Sequence, residues 1–318
     1  MQEGYFHGVD GTRLFFRRVG EGVPLVLCDG IGCDGYVWRY FIPYFADRFQ
    51  IVHWHYKGHG QSDRPADFDH IATADVAADL GQLFAHLNLP PGVLVGHSMG
   101  VQVILEFAHL FPERTRGLIP ICGSYGRPLD TFHDNSILKT VFPFLKKFML
   151  SQPELSQRAW ELVTKSELAY QVAVHFEVNG DFINREDFKP YFDHIGGIDA
   201  GLFVSMLAAA QEHDAKPNLA AIACPTLVVG GEKDTFTPLW LSREMQKLIP
   251  DADLLVVPNG SHTSPIEMPE LVNLRIEKFL NERILEAGQT PAADLKVKSK
   301  TKKSPAKKPA RKTTVASA

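Results

Sequence analysis

Cysteine is scarce in this chain: four residues in 318, Cys28, Cys33, Cys122 and Cys224. Their spacing suits no zinc site and their density no disulfide scaffold. Cys28, Cys122 and Cys224 fall in or beside apolar runs, which predicts buried free thiols. No apolar run approaches the roughly 18 residues of a membrane-spanning helix, and residues 1–20 lack the basic start and apolar centre of an export signal. A cytoplasmic protein without a membrane span is therefore expected. Nucleotide-binding signatures are missing as well. The stretch GHGQSDRP at 58–65 has glycines, but neither the dinucleotide spacing nor the lysine of a triphosphate loop. It reads as a structural loop beside the sheet edge. His53, His55 and His59 alternate with bulky residues and have no carboxylate cluster beside them, so no metal is expected. There is no internal repeat.

Positive charge is also in deficit over most of the chain, because the basic residues are unevenly placed. Residues 289–318 hold nine basic side chains and one acidic, a net charge of +8. Residues 1–288 hold 24 basic and 36 acidic, a net charge of −12. An acidic body gives a nucleic-acid role no support, whereas the tail suits nucleic acid or another polyanion through salt-sensitive contacts that ignore sequence. A solvated solubility segment is the plain alternative. Pro, Ala, Lys, Ser and Thr dominate residues 287–318, which predicts a disordered basic tail.

With 45% of residues hydrophobic and 22% charged, the rest resembles an ordinary globular protein. YFHGVDGTRLFFRRVG, at 5–20, alternates around Asp10-Gly11 and predicts an opening antiparallel hairpin. Continuous apolar runs follow at 23–28, 49–55, 92–96, 115–122, 224–230 and 252–258. Such runs suit strands buried on both faces of a parallel sheet. Helical patterns lie between them at Ala72 to Leu87, Val101 to Phe111, Leu239 to Leu248 and Glu270 to Glu286. The expected fold is α/β, with a mostly parallel, doubly wound sheet, an opening antiparallel hairpin and a helical cap inserted between sheet strands. The α/β core is assigned to residues 1–126 and 217–286, and the cap to 127–216. The cap stretch lacks strand runs and disperses Phe132, Phe142, Phe144, Phe148, Phe176, Phe182, Phe188, Phe192 and Phe203. A lid placed there turns some of these rings toward an apolar ligand.

The chemistry concentrates in GVLVGHSMGVQVILEF, residues 92–107. Ser98 stands between Gly96 and Gly100 where an apolar strand becomes a helix. A hydroxyl projected clear of the backbone there requires a strained turn, and side chains two residues away on either side would clash. The Met99 N–H, at the helix start, is placed to donate to a developing oxyanion. A glycine-lined turn with serine as turn polarity is the bland alternative. A serine hydroxyl needs a base, and position selects among 13 histidines. His262 follows the last strand run, and Asp234 follows the one before it, both at carboxyl ends. Asp251 and Asp253 stand at the opposite end.

GHSMG at 96–100, GGEKD at 230–234, GSHTSPIEMPE at 260–270 and GHGQSDRP resemble the α/β-hydrolase fold superfamily, in its capped esterase-like and lipase-like branch. The resemblance spans about residues 5–285 and includes the chain order nucleophile, acid, histidine. It implies Ser98 as nucleophile, His262 as general base and acid, Asp234 as its orienting carboxylate, and oxyanion N–H groups from Met99 and Ile31. It implies no metal or organic cofactor and a small-molecule ester or thioester substrate with an apolar acyl or alkyl group. Carbon–carbon bond hydrolysis, amide cleavage and cofactor-free peroxidation use the same residues, and a non-catalytic ligand receptor or scaffold is the alternative from another class. Relatives that open epoxides or haloalkanes generally carry aspartate where Ser98 stands. Two positions depart from the family pattern. Asp29 precedes the oxyanion loop, where it is expected to point away and accept loop N–H groups. Val101 replaces a further glycine and is expected to affect packing only.

Overall fold

The structure, a computed structural model, describes residues 1–131, 137–168, 170–171, 183 and 185–286. The basic tail and Phe132, Phe176 and Phe182 lie outside the described residues. The opening hairpin pairs β1 (Gln2–His7) with β2 (Arg13–Val19) from Gln2 opposite Arg18 to His7 opposite Arg13. Its turn places Gly11 at φ 82°, a region that costs glycine no Cβ clash, and Asp10 accepts the Thr12 N–H at 3.0 Å. Six further strands complete one sheet: β3 (Pro24–Cys28), β4 (Gln50–Trp54), β5 (Gly92–His97), β6 (Thr115–Ile121), β7 (Thr226–Gly231) and β8 (Ala252–Val257). Their order is β1-β2-β4-β3-β5-β6-β7-β8. Only the β1/β2 and β2/β4 pairs are antiparallel.

The continuous apolar runs have their reason in two cores, one on each face. On β5, Leu94 joins Val103 and Phe107 of α2 (Met99–Leu110) and Leu80 and Leu83 of α1 (Thr73–His86). Its neighbours Val93 and Val95 point the other way, toward Trp38 and Phe45 and toward Val272, Ile276 and Phe279 of the last helix. Period-2 alternation thus persists, but both faces bury apolar groups. Between β6 and β7 the longer described helices are α3 (Ile137–Ser151), α4 (Pro153–Thr164), α5 (Arg185–Ile195) and α6 (Ala200–Glu212). α7 (Leu239–Leu248) connects β7 to β8, and α8 (Pro269–Phe279) follows. No described helix is long and apolar enough to cross a membrane. The four cysteines are outside any disulfide; Cys28, Cys33 and Cys122 are buried, whereas Cys224 is only partly so.

The glycine loop at 58–63 departs from its expected place. It follows β4, which lies between β2 and β3 rather than at the sheet edge. Lys57 anchors it, fully buried, with Nζ 3.1 Å from Asp79 of α1, 3.2 Å from Asp10 of the hairpin turn and 2.7 Å from the His70 carbonyl. Asp79 also accepts the Val9 N–H at 2.8 Å. Three segments distant in sequence are therefore tied through one ammonium group. Truncating Asp79→Ala leaves that buried charge short of a counter-ion and is expected to cost about 3–5 kcal/mol. Urea unfolding measures this, and an unchanged midpoint would contradict the assignment.

Candidate functional site

Ser98 sits between β5 and α2 at φ 55°, ψ −119°. Such a conformation costs a non-glycine residue roughly 1–3 kcal/mol and persists only where its surroundings impose it. Here they do. A Cβ on Gly96 would lie 2.4 Å from the Gly100 carbonyl oxygen, and one on Gly100 would lie 2.2 Å from the Cys28 carbonyl and 2.8 Å from that of Asp29. The Ser98 N–H donates to the Ile121 carbonyl at 3.1 Å, and its own carbonyl accepts from Val101 N–H at 3.0 Å. Val101 is buried against Gly123, where a Cβ would come within 2.3 Å of its Cγ2. The departure at Val101 is therefore a packing matter, matched by a glycine across the core.

The turn aims the Ser98 hydroxyl at His262, with Oγ 2.9 Å from Nε2. On the other side of the ring, Nδ1 lies 3.0 Å from Oδ2 of Asp234. A carboxylate can only accept, so Nδ1 carries the proton and Nε2 is left to receive the serine hydroxyl's. Asp234 follows β7 and His262 follows β8, so both stand at carboxyl ends of adjacent parallel strands. Asp234 is buried, yet four donors saturate it: the N–H groups of Phe236 and Thr237 on Oδ1, and the Thr237 hydroxyl and His262 on Oδ2. Burial alone would raise its carboxyl, but His262 and these hydrogen bonds outweigh that and hold it below the ordinary carboxylate range. Asp251 and Asp253 are engaged elsewhere, with Arg283 and Arg275.

Several residues not singled out in the sequence hold this arrangement. The neighbour of Ser98, His97, lies 2.9 Å from the His262 carbonyl through Nε2. The buried Glu267 carboxylate accepts the Ser261 N–H at 2.7 Å, the Thr263 hydroxyl at 3.0 Å and the Ser261 hydroxyl, clamping both residues that flank His262. The Phe236 ring stacks on the imidazole, centroids 5.0 Å apart. Two hydroxyl residues around a histidine, with a glutamate four positions beyond the second, were the available signal for Glu267.

The loop between β3 and the first short helical turn brings Ile31 into the cavity beside Ser98 and Met99. Met99 opens α2, whose first N–H groups have no intrahelical acceptor. Asp29 does point away from the cavity, but its partners are side chains rather than the expected loop N–H groups. Oδ1 accepts from Trp38 Nε1 at 2.6 Å and Oδ2 from His53 Nε2 at 2.8 Å. Burial would raise this carboxyl too; His53 and Trp38 overcome it and keep it below the usual range. One turn further, His59 accepts the Gly32 N–H at 3.1 Å through Nε2 and donates to the Lys57 carbonyl at 2.9 Å through Nδ1. The GHGQSD loop is thus a brace under the segment that carries Ile31.

Above these groups lies a cavity of about 350 Å³. Its floor is Ser98, His262, Met99 and Ile31; its walls come from Leu129 and from Leu138 of α3, Phe188, Tyr191 and Ile195 of α5, and Phe203 and Leu207 of α6. Phe142 is buried apart from it, with Leu129 and Val204. Of the dispersed phenylalanines that are described, Phe188 and Phe203 face the cavity, whereas Phe144 and Phe148 face solvent. Among the described lining residues there is no lysine, arginine, aspartate or glutamate.

The sequence matches the family described as alpha/beta hydrolase fold over residues 23–269. A protein of Azorhizobium caulinodans that bears the name "Putative carbamate hydrolase RutD" is 27% identical, the alignment covering 87% of this chain and 98% of that one. Bifunctional epoxide hydrolase 2 of Mus musculus is 23% identical over 93% of this chain and 58% of its own length. Among solved structures, an esterase from Thermogutta terrifontis superimposes with a TM-score of 0.71 at 24% identity, covering 89% of this chain and all of that one. That likeness is one of fold.

The buried histidines make stability depend on pH. Burial, before any other cause, pushes His55 down to about 3 and His59 and His97 down to about 4. In the unfolded chain the same groups take up protons near pH 6.5. Between about pH 6.5 and pH 4 the unfolded state therefore binds more protons, so stability rises with pH and falls on acidification, by up to roughly 3 kcal/mol for each group. Urea midpoints across this window are expected to drop steeply. His59→Gln, which keeps an acceptor for Gly32, is expected to flatten the slope by up to about one proton; an identical slope would refute the neutral buried state.

Proposed function

The chain belongs to the α/β-hydrolase fold family, and from that premise we propose that it is a serine hydrolase acting on carboxylic esters or thioesters through an acyl-enzyme. The observation that carries the reading is the continuous hydrogen-bonded chain from Ser98 Oγ through the His262 ring to Asp234. Ser98 Oγ attacks the carbonyl carbon while its proton passes to His262 Nε2. Asp234 stabilises the resulting imidazolium. The carbonyl oxygen becomes an oxyanion met by the N–H groups of Met99 and Ile31. Collapse of the tetrahedral species breaks the carbon–oxygen or carbon–sulfur bond, and Nε2 returns the proton to the departing alcohol or thiol. Water then adds to the acyl-enzyme by the same route, its proton going to Nε2 and then to Ser98 as the free acid leaves.

Helices α3, α5 and α6 are read as a cap, part of an insertion at 127–216, that sets the substrate's shape. An apolar cavity of about 350 Å³ without charged lining favours an uncharged substrate with a short to medium acyl or alkyl group; this volume is at the small end for ligand pockets. The epoxide chemistry in the mouse relative's name is not carried over. A serine oxygen opening an epoxide would leave an ether, which water cannot release as it releases an ester. Carbamates share the acyl carbonyl and belong in the same substrate panel, with amides as the harder case.

A fluorophosphonate probe is expected to label the protein at Ser98, with labelling lost in Ser98→Ala. On a panel of p-nitrophenyl esters graded by acyl length, Ser98→Ala and His262→Ala are each expected to lower kcat/KM by about 10³-fold or more. Absence of labelling at Ser98 in the folded protein would instead favour a ligand receptor on this fold.

A further inference from the structure

Seventeen large apolar side chains are exposed among the described residues, and nine of them fall between Val141 and Leu168. On α3, Val141, Phe144, Leu145 and Phe148 follow the i, i+3, i+4, i+7 spacing of a single helix face. That face looks outward, with Phe144 74% and Phe148 52% exposed. The inward face of the same helix is also apolar, with Phe142 buried and Leu138 lining the cavity. α4, which packs against α3, is inverted in the same sense. Ser156 and Thr164 are buried, while Leu162 is 76% exposed and Val163 stands beside it in solvent. Isolated exposed apolar residues need no explanation, but two neighbouring helices with outward apolar stripes do.

Charge decides what covers them. Residues 1–288 carry an excess of twelve acidic side chains, yet the charges that adjoin the two stripes are cationic: Lys147, one turn from Phe144 on α3, and Arg158, one turn from both Leu155 and Leu162 on α4; Lys139 lies on the far side of α3 and pairs with Asp130 at 2.9 Å. A second copy packed α3 against α3 about a two-fold axis would bring like charges together, and that helix offers no carboxylate to receive Lys147 of its partner. Duplex nucleic acid would satisfy these cations but leave the phenylalanines in water. Apolar stripes bordered by Lys147 and Arg158 match an anionic lipid surface, where rings enter the acyl boundary and the cationic groups meet headgroups. The +8 segment at 289–318 adds a second electrostatic attraction to the same surface; weak peripheral binding becomes stable when two such signals combine.

We propose that the outward faces of α3 and α4 form a docking surface for an anionic lipid bilayer, with Phe144 and Phe148 as the inserting side chains. The inference stands apart from the chemistry assigned to Ser98. It does bring the cavity, lined by Leu138 of the same helix, within about one helix diameter, 10–12 Å, of the lipid. Apolar esters concentrate in that layer.

Co-sedimentation of the full chain with phosphatidylglycerol vesicles, and with phosphatidylcholine vesicles as control, tests the proposal. Binding is expected to be stronger to phosphatidylglycerol. A residue of it should persist in about 1 M salt, where the Debye length shrinks to about 3 Å and contacts made by the tail alone are lost. The double variant Phe144→Ser, Phe148→Ser should lower partitioning by about 10-fold or more, with far-UV circular dichroism and thermal midpoint unchanged because both rings are exposed. Leu162→Ser with Val163→Ser gives an independent second arm. Equal vesicle binding by the wild-type chain and both folded variants would overturn the proposal. So would a dimer, seen by sedimentation velocity, that the variants dissociate, or retention of duplex DNA without any stripe-dependent lipid binding.

Discussion

The approach of α2 to the end of β3 governs the site. The Cα of Gly100 lies so close to the carbonyls of Cys28 and Asp29 that even a methyl group has no room. That contact sets how α2 leaves β5, and the direction of departure forces Ser98 into its strained φ and ψ. The strain is local, whereas the packing that maintains it is spread over two cores. Gly96 and Gly123 belong to the same constraint, one clearing the Gly100 carbonyl and the other making space for Val101. A hydroxyl held this way does not search rotamers of a mobile loop before meeting an imidazole. Its backbone geometry is fixed before any ligand enters.

A carboxylate beside the loop proposed to hold an oxyanion would be a poor neighbour for a developing negative charge. Asp29 becomes acceptable because both its oxygens are committed below the loop, to Trp38 and His53. The polar layer beneath the site is then mostly a set of neutral rings. His59 receives the Gly32 N–H, and His97 contacts the carbonyl of His262. Imidazoles suit this role because a neutral ring donates at one nitrogen and accepts at the other, bridging two backbone segments without adding a buried charge.

Much of the fold was legible in the sequence because its strands are buried on both faces. The apolar runs at 23–28 and 92–96 announce β3 and β5 almost to the residue; the run at 252–258 does the same for β8, a half-buried edge strand, and Asp10-Gly11 announces the hairpin turn. Ser98, Asp234 and His262 were legible as positions, since each follows an apolar run, and the fold brings these carboxyl ends together. Long-range partners were not legible. Nothing in the sequence joins Asp29 to His53, 24 residues away, or Gly32 to His59, 27 away, so the loop at 58–63 looked like an edge feature rather than a brace. The orientation of α3 and α4 was hidden for another reason. Helical periodicity finds an apolar stripe, but where two faces are apolar it does not say which one meets the core.

Ser98 and His262 are separated by 164 positions along the chain, yet His97 binds the backbone of one while being covalently joined to the other. In mechanical terms this is a short closed linkage: one peptide bond, one imidazole and one hydrogen bond span what would otherwise be a long open arm through β6, the helices α3 to α6, β7 and β8. Positional error in an open arm accumulates with every joint, whereas in a closed linkage it is bounded by the few members of the ring. Walls built from α3, α5 and α6 can therefore be rebuilt to admit a different ligand while the distance between hydroxyl and imidazole stays in tolerance.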